Sequence, residues 1–454
     1  MFKNSFISYC LITFFVLFFV VSVNQTAAQM QFELVRRIDV APVWSGHPVG
    51  FTLLTEGDYQ FAAFYDADRN MTLAQRRLSE TIWIFNRLPT KVGWDSHNYI
   101  TMTLDQNKYL HVSGNMHCVP LIYFRSEKPL DVMSLVQVAA MTGNNEKRCT
   151  YPQFITGTNK ELLFTYRDGS SGNGNQIWNI YNPDSKTWNR LFDTPMFDGQ
   201  GKMNAYFCGP VVGHDGYYHL CWMWRNTSDC STNHDLSYVR SQDMRHWENS
   251  NGKPVLLPIT VQTGEIIDAA QPGQGLLNPA QKIGFDSQNR VIISYGKYDT
   301  NGNYQLYNAR LEEGTWKYYQ TSDWKYRWEF KGGGSIVTEI SFGAIEIQDG
   351  KLVQNFRHIK EGNGRWLLDE KTLKPVGKVP PLVRLPKEIG KIELDFPNIE
   401  SRTAWDLRDQ NQPFDHHTDI RYVMKWETLP PNRDHPHSVT PPPSPLRIYE
   451  MKMK

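Results

Sequence analysis

Four side chains between positions 97 and 167 could act together on a substrate that must lose a proton. His97 lies in GWDSHNYI, His117 in LHVSGNMH, Tyr151 in TYPQF and Arg167 in FTYRDGSSGNG. Imidazole and phenol groups can transfer protons near neutral pH, and a guanidinium binds carboxylates through paired hydrogen bonds. The set therefore predicts proton abstraction from a carbon atom that carries a carboxylate, with Arg167 holding that carboxylate.

β-Elimination on a uronic acid fits this chemistry, because the C5 proton of the sugar lies beside a carboxylate. One histidine is expected to act as the base, the other to assist Arg167, and Tyr151 to protonate the leaving O4. Hydrolysis instead normally uses two carboxylates that flank the bond. The aspartates that could serve are Asp66, Asp68, Asp95, Asp168 and Asp235, and no spacing pairs any two of them.

A second group of residues has the chemistry of a metal site. Cys221, Cys230 and His234 lie within fourteen residues of one another, and thiolate and imidazole are the usual ligands of structural zinc. We expect the fourth ligand from the same segment, from His214, His219 or Cys208. The alternative is a disulfide between Cys221 and Cys230.

His47 lies in VWSGHPVGF, between a glycine and a proline. Gly46 and Pro48 restrict the local backbone, so the residue itself indicates a structural turn. From the residues alone we predict a structural role for His47 and not a catalytic one.

One pattern recurs along the chain and indicates the elements that carry these side chains. An Asp/Asn/Gly turn precedes an apolar strand in YQFAAFYD, YLHVSG, ELLFTYRD, YYHLCWMWR, RVIISYGKY and KLVQNFRH. Each unit is the size of a propeller blade. NPDSKTW and SQDMRHW resemble degenerate Asp-box turns of sialidase-type propellers. We predict an all-β protein with a seven-bladed β-propeller. Six blades, or a tandem of β-sandwiches, are the alternatives.

Composition and the chain ends bound the other expectations. Residues 1–28 read as a signal peptide, which predicts a periplasmic or extracellular protein that leaves the membrane after cleavage. The propeller is expected over 35–395, and a Pro-rich strap packed on it over 396–454.

A net charge of +1 gives no reason to expect nucleic acid as a partner. An aromatic content of 13% suits stacking on sugars. We expect a monomer that binds a uronic-acid-containing polysaccharide or oligosaccharide.

Together, VWSGHPVGF, GWDSHNYI, SGNMHCVPLIYFRS, TYPQF, YRDGSSGNG and TNHDLSYVRS resemble a family of seven-bladed, BNR-type propellers. Its members act on L-rhamnose linked α-1,4 to D-glucuronic acid, which caps arabinogalactan side chains and gum arabic. The related ulvan lyases have a His, His, Tyr and Arg elimination set that matches His97, His117, Tyr151 and Arg167.

The same resemblance implies a second mechanism. Some members are described as α-L-rhamnosidases in which the histidine of the GHP motif, His47 here, is critical on the opposite propeller face. The resemblance thus implies an exo-acting glycoside hydrolase that releases rhamnose, with a polysaccharide lyase as the alternative. It also implies calcium in the propeller channel. A carbohydrate-binding propeller without catalysis is a third possibility.

Overall fold

The computed structural model describes residues 30–381, 383–410 and 419–454. The signal peptide expected at 1–28 lies outside these residues. In the described ranges the chain forms seven separate β-sheets, and the prediction of an all-β propeller is confirmed. No helix in the described part is long and apolar enough to span a membrane.

The first half of the chain builds three sheets after an initial long strand, β1 (Met30–Val43). The first sheet contains β2 (Thr52–Glu56), β3 (Tyr59–Tyr65), β4 (Asn70–Arg77) and β5 (Ile84–Lys91). The next two sheets are formed from β6 (Ile100–Leu104), β7 (Leu110–Gly114), β8 (His117–Val119), β9 (Tyr123–Ser126), β10 (Leu135–Gln137), β11 (Cys149–Thr156), β12 (Leu162–Ser170), β13 (Asn173–Asn182), β14 (Thr187–Arg190) and β15 (Phe197–Asp198). Strand β8 crosses from the neighbouring hairpins to pair with β11.

Three more sheets follow in order. The fourth contains β16 (Asn204–Val212), β17 (Tyr218–Arg225), β18 (Asn233–Ser241), β19 (Trp247–Glu248), β20 (Pro254–Val255) and β21 (Glu265–Asp268). The fifth contains β22 (Lys282–Phe285), β23 (Val291–Tyr298), β24 (Tyr304–Glu312) and β25 (Thr315–Gln320). The sixth contains β26 (Ile340–Gln348), β27 (Lys351–His358), β28 (Gly362–Leu368) and β29 (Pro375–Lys378). Short 3₁₀ turns lie at Ser96–Asn98, Val132–Ser134 and Cys230–Thr232.

The seventh sheet joins the two ends of the described chain. It contains β30 (Val383–Arg384), β31 (Glu400–Trp405), β32 (Ile420–Thr428) and β33 (Ser444–Met453), with the short helices α1 (Lys387–Gly390) and α2 (Leu407–Gln410) beside them. Strand β33 pairs antiparallel with β1 along its whole length. The expectation of an extended strap over 396–454 is therefore wrong. In its described residues this segment supplies three strands, and the Pro-rich loop between β32 and β33 interrupts them.

The recurring turn–strand units each become the second strand of a hairpin, namely β3, β7, β12, β17, β23 and β27. The turn before each strand contains a residue with left-handed backbone, at Gly57, Lys108, Lys160, Gly216, Asn289 and Gly350. This conformation closes a tight hairpin whose twist matches that of the strands, which explains the Gly and Asn content of the pattern.

The sheets pack on one another in chain order through their first strands. Strand β2 contacts β6, β6 contacts β11, β16 contacts β22, and β22 contacts β26. Large aromatic side chains fill the space between the sheets, among them Trp178, Trp222 and Trp224, which are almost fully buried. Each such side chain contributes about 3 kcal/mol of apolar burial. Among these strands, β11 carries Tyr151 of the candidate site, whereas His97 lies in the 3₁₀ turn before β6 and His117 begins β8.

Candidate active site

The motif GWDSHNYI places His97 through a local cap. Asp95 is the N-cap residue of the 3₁₀ turn Ser96–Asn98, and its Oδ1 accepts a hydrogen bond from the backbone N of His97 at 2.9 Å. The same oxygen lies 2.5 Å from Nδ1 of His97. One carboxylate thus fixes both the backbone and the ring of this histidine.

His117 binds the other oxygen of the same carboxylate. It begins β8, its Nδ1 contacts Oδ2 of Asp95, and its ring stacks on that of His97 with centroids 4.2 Å apart. Burial opposes the charged form of His117, but the hydrogen bond and charge of Asp95, with Cys118, raise its pKa to about 9. His117 is therefore an imidazolium at neutral pH.

Asp95 titrates in the opposite direction. Burial alone would raise its pKa, but hydrogen bonds from His117 and His97 hold the pKa of this carboxyl well below its usual range. The pair of histidines and the carboxylate form a charged group that stays assembled across the neutral range.

Tyr151 joins the two histidines, whereas Arg167 is buried and does not line the cavity. The ring centroid of Tyr151 lies 5.5 Å from that of His97, and the Arg167 guanidinium lies 5.0 Å from the Tyr151 ring. Arg167 is 2% exposed and donates to the hydroxyls of Tyr206 at 3.2 Å and Thr150 at 3.1 Å. The expectation that Arg167 binds a substrate carboxylate directly is wrong, because protein groups surround it.

Tyr206 and Arg225 are site residues that sequence reasoning missed. The rings of Tyr151 and Tyr206 meet edge to face at 5.9 Å, and the Arg225 guanidinium lies 5.4 Å from the Tyr206 ring. Tyr206 lies in β16, the first strand of the sheet after the one that holds Tyr151 in β11. This equivalence of position was the signal that could have found it.

The two tyrosines differ in their ionisation. Burial and the charge of Tyr206 raise the pKa of Tyr151 well above its ordinary value. Burial also acts on Tyr206, but the charges of Arg167 and Arg225 outweigh it and lower the pKa of Tyr206. One phenol of the pair is therefore held protonated, while the other ionises more readily than a free tyrosine.

These residues line or adjoin a cavity of about 670 Å³ at the centre of the propeller. Strands β11, β16, β22 and β26 contribute to its lining. The cationic side chains in the lining are Arg225 and Lys282, the imidazole of His97 also lines it, and the aromatic side chains are Tyr99, Tyr151, Tyr206, Phe207, Trp328 and Phe342. The lining drawn from the described residues includes no aspartate or glutamate. The cavity suits an anionic ligand with flat apolar faces.

The five candidate aspartates form no carboxylate pair at this cavity. Asp66 pairs with Arg87, Asp168 accepts a hydrogen bond from Asn145, and Asp235 binds His234. Asp68 has an exposed side chain. Only Asp95 lies beside the cavity, where it holds the two histidines.

His47 lies within the same group of residues, below the cavity. Its side chain is buried, and its Nε2 lies 3.0 Å from Oδ1 of Asp434. The other oxygen of Asp434 lies 3.6 Å from Nδ1 of His97. The expectation that His47 lies on the opposite face is wrong, because one carboxylate contacts both histidines. Asp434 was missed because its segment lacks any strand pattern.

The expected zinc ligands do not come together. Cys221 is in mid-strand in β17, about 13 Å of extended chain before the strand ends at Arg225, and Cys230 begins a separate 3₁₀ turn beyond that end. Both ring nitrogens of His234 have partners, Asp235 and Asn226, at 2.8 Å each. All described cysteines are free thiols, so the alternative disulfide is not formed either.

A different group is the one that could hold an ion. Among the described residues, only Asp95, His97 and His117 form a group of three ligand atoms that all lie within 4.8 Å of one another. Two imidazoles and one carboxylate do not suit calcium, which prefers oxygen ligands. Calcium in the propeller channel stays a prediction.

Comparison with solved structures shows the same fold. The polysaccharide lyase Uly1 has a TM-score of 0.59 at 13% identity, with 93% of this chain and 100% of that chain covered. A PL25 ulvan lyase has a TM-score of 0.56 at 13% identity, covering 92% of this chain and 96% of the lyase. The same lyase is also known bound to -[GlcA(1-4)Rha3S]-. No curated protein matches the chain.

The sequence itself matches a family of repeat proteins. The match to the BNR repeat-containing family runs over residues 59–324, which is more than half of the 454 residues. It covers the strands from β3 to β25 and includes Asp95, His97, His117, Tyr151 and Tyr206. This chain belongs to the BNR repeat-containing family.

Proposed function

We propose that this protein is a carbohydrate-active enzyme that cleaves the bond at C4 of a glucuronate residue by β-elimination. The observation that carries the proposal is the central cavity, which is lined by cationic and aromatic side chains and by no carboxylate among the described residues. Such a lining attracts a uronate and lacks the carboxylate pair that hydrolysis normally needs.

Cationic groups at the cavity would hold the uronate carboxylate. Arg225 lines the cavity directly, and His97 lies against the imidazolium of His117. Neutralising the carboxylate stabilises the negative charge that develops on it when C5 loses its proton. From the sequence, we expected Arg167 to bind this carboxylate.

The two tyrosines supply the proton transfers. Tyr206, with its lowered pKa, removes the C5 proton as a phenolate. The electron pair of the C5–H bond forms the C4=C5 double bond, and the C4–O4 bond breaks. Tyr151, with its raised pKa, donates its proton to the departing O4. Proton transfer between the two phenols, or through water, restores the starting state.

We propose L-rhamnose as the sugar on the other side of the bond, as in the rhamnose-glucuronate ends of arabinogalactan and gum arabic. The sequence motifs support this choice, and the lyase bound to -[GlcA(1-4)Rha3S]- has the same fold. Aromatic side chains such as Trp328 and Phe342 offer flat surfaces on which the apolar face of a sugar can stack.

Hydrolysis by an α-L-rhamnosidase is the alternative for the same linkage. The resemblance assigned that chemistry to His47, but His47 is 1% exposed and does not line the cavity. Elimination is therefore the mechanism that the geometry favours.

Product analysis on gum arabic tests the proposal. Both mechanisms release free rhamnose, but elimination leaves an unsaturated uronate that absorbs in the ultraviolet, whereas hydrolysis leaves a saturated one. Carboxyl-reduced gum arabic is the matched control, and it should be inert because the C5 proton is then no longer acidic. A saturated product would establish hydrolysis instead, and binding without any product would establish a carbohydrate-binding protein.

A further inference from the structure

Asp434 makes four contacts with three distant parts of the chain. Its Oδ1 accepts a hydrogen bond from the backbone N of Ser96 at 3.1 Å and contacts His47 Nε2 at 3.0 Å. Its Oδ2 accepts from the backbone N of Ser335 at 2.8 Å and lies 3.6 Å from His97 Nδ1. A side chain on the loop between β32 and β33 thus meets residues from three other segments that lie between strands.

Three of these partners belong to the lining of the cavity. Ser96 and His97 form one wall, which precedes β6, and Ser335 belongs to the wall that precedes β26. Asp434 itself does not line the cavity. From outside the cavity, its carboxylate therefore connects the two walls by accepting hydrogen bonds from the backbone of Ser96 and of Ser335.

The backbone around Asp434 adopts a conformation that requires tight support. Arg433 and Asp434 have φ angles of 67° and 60°, in the left-handed region that is costly for residues other than glycine. Arg433 donates its backbone N–H to the carbonyl of Ser335 and its side chain to those of Lys331 and Gly333. The wall before β26 holds the loop in place.

His47 completes the arrangement from inside the protein. Its side chain is fully buried, and its Nδ1 is a buried atom without a hydrogen-bond partner in the described part of the chain. The ring centroids of Trp44 and Trp94 each lie 6.4 Å from that of His47. The only polar partner of the imidazole among the described residues is Asp434.

We infer that Asp434 is a positioning residue of this cavity and that His47 acts on the reaction only through it. His47 orients the carboxylate, and the carboxylate holds the backbone of Ser96, next to His97, and of Ser335 in the opposite wall. The inference deepens the proposed function and rests on it for the activity measurements alone.

The test compares His47→Leu, His47→Gln, Asp434→Asn and the double variant His47→Leu/Asp434→Asn in the full-length protein. His435→Leu is the matched control, because His435 is exposed on the same loop. Rates of rhamnose release are measured on gum arabic, and thermal unfolding shows whether each variant folds. Side-chain ¹⁵N NMR of His97 reports the geometry without any turnover, and so separates this inference from the proposed reaction.

We expect His47→Leu and Asp434→Asn each to lower kcat on the order of tenfold to a hundredfold, with KM nearly unchanged. Both should shift the His97 signals, and the double variant should be no worse than the single ones. His47→Gln keeps a donor toward Asp434 and should restore most of kcat. Loss of turnover in His47→Leu with unchanged His97 signals, or full activity in Asp434→Asn, would overturn the inference.

Discussion

At the residue scale, the charge of His117 depends on one carboxylate. Its pKa is raised to about 9 chiefly by Asp95, against the effect of burial. A raised pKa means that the imidazolium is present below about pH 9 and is lost as the pH rises through that value. The site thus has its positive charge throughout the neutral range.

This dependence predicts the pH profile of the enzyme. The kcat/KM of the wild type should fall as the pH rises through about 9, because the uronate then loses a positive partner. Asp95→Asn removes the hydrogen bond and the charge, so the fall should move to lower pH. Asp215→Asn, which removes a carboxylate beside the distant His219, is the control and should leave the profile unchanged. An unmoved alkaline limb in Asp95→Asn would exclude this role for His117.

Tyr206 offers a second prediction at the same scale. Tyr206→Phe removes the phenol that lies between two guanidinium groups, so kcat should fall by about 10²- to 10⁴-fold with little change in KM. Tyr217→Phe is the control, because it removes the same hydroxyl from a tyrosine whose cation–π partner is Arg240. The comparison is read from initial rates on gum arabic. A Tyr206→Phe enzyme with the wild-type rate would assign the base to another residue.

The positions of site residues were predictable where a local sequence motif fixes them, and they were not predictable elsewhere. His97 and His117 lie in polar turns at strand ends, and the structure brings them together with Tyr151. Arg167 was expected to bind a substrate carboxylate, but it binds protein hydroxyls. Alternate side chains of a strand point to opposite faces of the sheet, and no local sequence pattern shows which face Arg167 takes. Arg225, which we propose for that task, lines the cavity from the next sheet, and no spacing along the chain reveals this position.

At the element scale, the turn–strand units were the most predictable feature. Asp, Asn and Gly mark tight hairpins because these residues accept left-handed backbone, and all six units fall on second strands of hairpins. The pairing of the last segment was not predictable, because a Pro-rich loop lies between its strands β32 and β33 and interrupts the strand pattern. Neither Pro441 nor Pro442 can extend a strand, yet their carbonyls accept hydrogen bonds from Ser45.

Gly334 allows the loop that carries Asp434 to approach. A Cβ atom at Gly334 would lie 2.4 Å from the carbonyl oxygen of Arg433, whereas one at Gly350 would meet nothing within 4 Å. Both glycines have left-handed φ angles, 73° and 69°, so alanine costs about 1 kcal/mol of backbone strain at either site.

The difference between the two positions isolates the effect of the close approach. Gly334→Ala should lower both the melting temperature and kcat, because the loop must move away from the cavity wall. Gly350→Ala should lower the melting temperature slightly and leave kcat as it is. Thermal unfolding and initial rates measure the two effects. Equal kcat values in the two variants would show that the position of this loop does not matter for turnover.

At the scale of the whole molecule, one sheet closes the ring. Strand β1 pairs with β33 from Phe32 opposite Met453 to Val43 opposite Ser444. Deleting residues 444–454 removes this partner and also exposes one edge of β32. We expect the shortened protein to lose its cooperative thermal transition, measured by circular dichroism. Deleting Lys454 alone is the control and should leave the transition in place, and a cooperative transition in the longer deletion would contradict the closure.

The pairing of β1 with β33 also sets the order of events during synthesis. The ribosome releases β1 among the first described residues and β33 among the last, so β1 waits for almost the whole chain before its partner exists. Until then its edge is an unpaired strand that can pair with other chains. A product that stops short of β33 keeps this open edge, and only a completed chain can close its own ring.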